Sequence, residues 1–231
     1  MTDIIESFFK AFFSFSDMKA VYVLGKTSPE MMAEPIDSEG WYRWKPINGR
    51  INIMEYHAVE DKFSMKFPES FIEWHKAYFF MDGDCSILRL PYSEPNRPLE
   101  QLIDELDNDF AKHLIKQKLY PFAQGGNDEG ALVFDAREKR SHHDYPIRVC
   151  YYEFLYDHEA ISEIIFSSFS KLLECMTYFL NEIKTQKDYE IIPHFLSIDP
   201  EGAGKSGIDY WLGLVAYYKD NATYFNGQHD L

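Results

Sequence analysis

Cysteine is scarce in this chain. Three thiols, Cys85, Cys150 and Cys175, are spread over 231 residues, with no Cys-x-x-Cys pair and no grouping with histidine at zinc-ligand spacing. An odd, scattered set of this kind supports neither a disulfide framework nor a structural zinc site, and it reads as buried thiols in a reducing, cytoplasmic compartment. Basic charge is also short: 23 lysines and arginines stand against 38 aspartates and glutamates, a formal net charge of −15. A field of that sign repels nucleic acid and anionic membrane and draws in basic partners. The densest basic run, "AREKR" at 136–140, alternates with acid, which is the wrong pattern for a nucleic-acid surface. Long apolar runs are missing as well. Nothing approaches the ~18 uninterrupted residues of a membrane span, and Asp3 and Glu6 occupy the place where a secretory leader carries positive charge.

The usual signatures of catalysis are absent too. The stretch "IIPHFLSIDPEGAGKSG" at 191–207 imitates a phosphate-binding loop, but the first glycine of that pattern should stand at 199, where the chain has Asp199. A carboxylate there opposes a polyanion, so Asp199-Pro200 and Gly202-Ala203-Gly204 read as turns between two apolar elements. There is no Gly-x-Ser-x-Gly elbow and no cysteine in an activating context. "SHHD" and "DHE" place His142, His143, Asp144, His158 and Glu159 close in sequence, but no His-x-x-x-His or His-Glu-x-x-His spacing occurs, and they read as surface polarity.

Hydrophobic and aromatic side chains are abundant, at 45% and 17%, enough to build a core rich in Phe and Tyr. Ile4, Ile5, Phe8, Phe9, Phe12 and Phe13 recur at helical spacing and predict an N-terminal amphipathic helix, its apolar face docked on its own domain or, alternatively, on a second copy. Residues 25–50, punctuated by Gly25, Gly40, Gly49, Pro29, Pro35 and Pro46, read as an extended loop anchored by Trp41, Tyr42 and Trp44. A short helix is expected over 51–61. A second runs through "FPESFIEWHKAYFF", opened by Pro68 and ended by Gly83. After a strand at "SILRLP", a single helix is predicted over "PLEQLIDELDNDFAKHLIKQKL". Three β-rich runs, "LYPFAQ", "ALVFDAR" and "IRVCYYEF", follow with turn-forming spacers, the pattern of an antiparallel meander. A long helix from Ile161 to Ile183 covers that sheet, and the tail from 188 shows no clear period. The fold class is therefore α+β, an antiparallel meander sheet packed with helices. It forms a single domain over 1–231 whose C-terminal extension, 186–231, packs on the core.

Carboxylates gather at the turns: Asp82 and Asp84 in "MDGDC", then Asp128 and Glu129, then Asp157. An Asp-x-Asp pair holds a divalent metal in sugar-nucleotide transferases. Here Gly83 reads as a helix-ending glycine, which makes Asp82 and Asp84 solvated flanks of a cap. If the turns share one edge they form a negative face for steering a basic protein.

The order of pieces resembles the SUKH superfamily over roughly 40–185. "GWYRWKPI" comes first, then "FPESFIEWHKAYFFMDG", similar to that family's proline-led helix ending near Asn-Gly. "LYPFAQGGNDEGALVFDAR" is similar to its strand pair, and "SSFSKLLECMTYFL" to its closing helix. Asp82 replaces the usual Asn, and the stretch after "VFDAR" is longer and more polar. The resemblance implies a non-enzymatic binder: bacterial members are cytoplasmic immunity proteins that occlude a toxin, often one acting on nucleic acid and therefore basic, and fungal members regulate cell-wall glucan synthesis. It leads to an expectation of no catalytic group, metal or cofactor, no nucleic-acid or membrane partner, and a basic toxin domain bound through Asp82, Asp84, Asp128, Glu129 and Asp157, with Trp41 and Trp44 as apolar contacts. The alternatives are a regulatory scaffold in cell-wall synthesis or signalling, and a metal-dependent sugar-nucleotide enzyme using Asp82 and Asp84.

Overall fold

A computed structural model describes residues 2–137, 144–152 and 161–227. At its centre lies a four-stranded antiparallel sheet in the order β5 (Leu88–Arg89), β6 (Leu119–Gly125), β7 (Gly130–Asp135), β8 (Ile147–Tyr151). Alternation sorts β7 onto two faces: Leu132 and Phe134 enter the main core, while Ala131 and Val133 join Leu114, Leu119 and Cys150 beneath a helix on the opposite side. Every residue of β7 is buried, the mark of a strand covered on both faces, which is why it reads as an apolar run up to the ion-paired Asp135 at its end. Pro121 lies in β6 beside a register shift and beyond the reach of short β5, which pairs only with Gln124 and Gly125, so its missing N–H removes no ladder bond.

The N-terminal helix forms as expected. In α1 (Asp3–Phe15) the residues Ile5, Phe8, Phe9 and Phe12 are buried, and Phe9 stacks on Trp74 at 5.8 Å between ring centroids. Its apolar face thus docks within its own chain. The segment read as a loop at 25–50 carries structure: β2 (Trp41–Arg43) pairs antiparallel with β1 (Lys19–Val21), and β3 (Ile47–Asn48) pairs with β4 (Tyr78–Phe79). The helix expected over 51–61 is α2 (Ile53–Phe63), opened by a capping box between Asn52 and Glu55.

Three expectations are corrected by packing. Helix α3 (Glu69–His75) stops well before Gly83, because Tyr78 and Phe79 extend to pair with β3. Gly83 instead allows a close backbone approach: a Cβ there would meet the Leu90 carbonyl oxygen at 1.7 Å. The single helix expected over 98–119 is two, α4 (Glu100–Leu106) and α5 (Asp109–Lys116), because the Asn108 side chain accepts from the Ala111 N–H and restarts the helix. The long helix expected from Ile161 begins only at Phe169, as α6 (Phe169–Glu182), capped by Ser168. Ile161 and Phe166 instead make antiparallel bridges to Cys150 and Ile147, so this segment covers the outer edge of β8.

Helices α3 and α6 pack on the main face of the sheet around an aromatic nucleus, and α1 packs against α6 and Trp74 of α3. Phe122 stacks on Phe134 at 3.9 Å, and Phe71 and Phe169 close over them. On the other face α5 lies over Leu119 and Val133. The C-terminal segment, read as aperiodic, folds into α7 (Asp188–Ile191), α8 (Phe195–Ile198) and α9 (Ile208–Gly227). It joins the main core: Trp211 lies 4.9 Å from Phe195 and 5.1 Å from Phe166, and its Nε1–H donates to the Ile165 carbonyl.

Polar groups are also buried in the interior, among them Asp135 and His75. The Asp135 carboxylate accepts from Arg148 Nε and from Arg137, each at 2.7 Å. Burial pushes its pKa up, but the two guanidinium groups outweigh that and hold it below the usual value. His75 is wholly buried, with Nδ1 2.7 Å from the Tyr56 hydroxyl, and burial lowers its pKa to about 4, so the ring is neutral at pH 7.

Candidate protein-binding site

Antiparallel connectivity decides where the acidic turns go. The turn preceding β5, the β6–β7 turn and the end of β8 all lie at the same end of the sheet, since Leu88 pairs with Gly125 and Gly130 with Tyr151. The first two turns touch: the Gly126 N–H donates to the Ile87 carbonyl at 3.0 Å, and a Cβ on Gly126 would sit 2.8 Å from that oxygen. Asp128 and Glu129 thus stand in the β6–β7 turn at that end and Asp84 flanks the neighbouring turn, bridged to Arg89, while Asp82 lies further back along the sheet edge, where the Leu90 N–H donates to the Gly83 carbonyl. Asp157 lies outside the described residues, as do His142, His143, His158 and Glu159.

Local chemistry shapes each turn. Asp82 and Asp84 are not flanks of a helix cap. The Asp84 N–H donates to Asp82 Oδ1 at 3.0 Å and the Ser86 N–H to Asp84 Oδ1 at 2.8 Å, two consecutive Asx turns leading into β5. Burial raises the Asp82 pKa, and the Asp84 N–H opposes the shift. Arg89 stands 4.0 Å from the exposed Asp84 carboxylate, a loose pair that leaves most of the charge to solvent. In the β6–β7 turn Asn127 and Asp128 both take left-handed backbone, φ 55°, which these two residue types tolerate. Asp128 is exposed, whereas Glu129 turns inward.

Glu129 faces the C-terminal helix. The Tyr210 hydroxyl donates to Glu129 Oε2 at 2.8 Å. Burial raises the Glu129 pKa, and the Tyr210 bond pulls it partly back. Burial raises Tyr151 to about 12, with the Glu129 charge adding to the shift. Between the turn and α9 lies an open groove of about 490 Å³, lined by Asn127, Glu129, Tyr151, Asp209, Tyr210 and Tyr217 among others. The sequence reading missed the α9 contribution, although Tyr210, Leu214 and Tyr217 recur at helical spacing. Trp211 and Val215, the buried stripe of the same helix, interleave with them and blur the period.

The two tryptophans separate. Trp41 and Val21 are cross-strand partners on the outer face of the β1–β2 ladder, 44% and 50% exposed, beside a groove bordered by Glu34, Asp37 and Glu39. Trp44 is 2% exposed, packed edge-on to Phe13, so no partner reaches it in this fold and the expected contact through Trp44 is corrected.

The "GKS" stretch offers no phosphate cradle. Gly202–Ser206 forms one π-helical turn whose groups are committed internally: the Gly204 N–H donates to the Asp199 carbonyl, and Ser206 Oγ accepts from the Ile164 N–H. Asp199 itself is buried, accepting from the Ser167 N–H and hydroxyl and from the Gly202 N–H. Among the described residues, no group of three or more His, Cys, Asp or Glu is placed to hold a metal ion, and no helix is long and apolar enough to cross a membrane. No protein-family model matches the chain, and no curated protein matches it.

Proposed function

We propose that the protein is a non-enzymatic protein-binding domain, an immunity protein that neutralises a basic, nucleic-acid-acting toxin by covering its working face. The observation that carries this reading is the meeting of two acid-bearing turns at one end of the sheet, Asp84 flanking the first and Asp128 and Glu129 in the second, in a chain of net charge −15. Enzymes that act on nucleic acid carry positive substrate-binding surfaces, because much of their affinity comes from phosphate contacts. An inhibitor that presents carboxylates competes for the same positive surface and associates quickly. The tyrosines beside Glu129 add the aromatic contact area on which interface affinity usually rests.

The test is affinity capture of the tagged chain from its native host at low salt, with elution at high salt. The expected product is a basic protein with a toxic domain whose lethality is cancelled by co-expression of this chain. Recovery of cell-wall or signalling proteins alone, with toxicity unrelieved in every case, refutes the immunity reading and favours a regulatory scaffold.

A further inference from the structure

The groove between the β6–β7 turn and α9 has a composition that selects one kind of occupant. Glu129 projects into it from the turn and Asp209 borders it from the helix, while Tyr151, Tyr210 and Tyr217 supply aromatic surface. Tyr217 is half exposed and available for contact. The Tyr210 hydroxyl occupies one carboxylate oxygen of Glu129, Oε2; among the described residues no group donates to the other. A half-buried carboxylate with one neutral donor is incompletely compensated, and its attraction for a cation exceeds that of a carboxylate in open water. Tyrosine faces attract cations through their negative quadrupole, and a planar, weakly hydrated guanidinium both stacks on such faces and pairs with a carboxylate.

We propose that this groove receives an arginine side chain of the protein partner, its guanidinium on Glu129 with Asp209 adding charge and its stem against Tyr210 and Tyr217. The inference rests on the partner-binding reading above, and it names the partner's anchoring chemistry at that same end of the sheet. The Trp41 face is a different surface: its apolar floor beside mixed acidic and basic side chains does not single out one occupant.

The test needs no identified partner. The full chain, isotopically labelled, is titrated at low salt with acetyl-arginine methylamide, acetyl-lysine methylamide and the neutral isostere acetyl-citrulline methylamide, and backbone amide shifts are followed. The arginine probe is expected to move the amides of Gly126–Glu129, Tyr151 and Ile208–Tyr217 in a saturable manner, at on the order of 1 mM, with lysine several-fold weaker and citrulline silent. Glu129→Gln, which keeps an acceptor for Tyr210, is expected to weaken arginine at least tenfold. Asp209→Asn, at an exposed position, is expected to weaken it by a smaller factor in an unchanged fold. Shifts spread over all acidic surfaces without saturation, equal binding of citrulline, binding by lysine as tight as by arginine, or full binding by Glu129→Gln would each overturn the proposal. A local arginine site with no toxin recovered by capture would leave the groove assignment standing and remove the immunity reading; a recovered toxin with no arginine site would do the reverse.

Discussion

Asp199→Ala should be among the most damaging single substitutions in the chain. The carboxylate is 1% exposed and accepts three hydrogen bonds: from the Ser167 N–H and hydroxyl, each at 2.6 Å, and from the Gly202 N–H at 3.1 Å. Alanine strands those donors in the interior, at about 1–3 kcal/mol for each buried group left without a partner. It also relieves the desolvation of one buried charge, which offsets part of that loss. A net destabilisation of about 3–5 kcal/mol follows, equivalent to roughly 10 °C or more in Tm for a chain of this length. Ser167→Ala removes only the hydroxyl donor and should cost about 1 kcal/mol alone. The double variant should lose less than the sum, because the two side chains share one bond. Urea unfolding followed by far-UV circular dichroism measures all three. A loss below about 1 kcal/mol for Asp199→Ala, or strict additivity with Ser167→Ala, would refute the view that Asp199 fastens the C-terminal helices to the strand edge before α6. That fastening also positions the groove, since α9 carries its Tyr210 wall.

Trp44→Ala should cost about 3–5 kcal/mol, as expected for a large buried aromatic, while Trp41→Ala should stay within about 1 kcal/mol; equal losses in parallel melts would contradict their opposite burial. His75 is held neutral with a pKa of about 4, against 6.5 in the unfolded chain, so between pH 6.5 and 4 the unfolded state alone takes up its proton and the contribution of His75 to stability falls with pH. Over that window the fall is about 3 kcal/mol, and His75→Gln should show a shallower decline in stability from pH 7 to pH 5 than the parent; identical slopes would sink the assignment. The three thiols are buried, and burial raises their pKa values, to about 12 for Cys150, so a thiol reagent at pH 8 should label native protein slowly and all three on unfolding in urea. Rapid native labelling would mean that the covering elements open readily.

Some elements could be read directly because local and tertiary demands agree there. The apolar face of α1 repeats at the helical period and is buried at that period, and "ALVFD" is a buried strand by composition and by position. The β6–β7 turn was legible because Asn127 and Asp128 tolerate the left-handed backbone they adopt, whereas Asp82 and Asp84, read as flanks of a helix cap, form Asx turns. The misplaced helix boundaries come from apolar residues whose spacing suits more than one structure. Ile161, Ile164 and Ile165 fit a helical stripe, but the open edge of β8 offered backbone partners that a helix would have left unpaired. Tyr78 and Phe79 continue the α3 pattern, yet they extend to pair with β3, where Phe79 is buried. Asp107-Asn108 sits inside a helical period, and Asn108 becomes a cap because Asp107 is turned outward to Lys62 and Lys112.

The α+β class, the meander, the acidic balance and the break in the apparent phosphate loop could be read from the residues alone, since each depends on composition or on neighbours a few residues apart. Tertiary structure alone decided that Trp44 lies inside while Trp41 faces out, that Asp199 became a buried fastener, and that Glu129 meets Tyr210 across 81 positions of chain. Such contacts depend on which strand lies beside which and on the direction each helix takes across the sheet. Those choices follow from how the whole set of apolar faces is buried at once, which no local window of sequence contains.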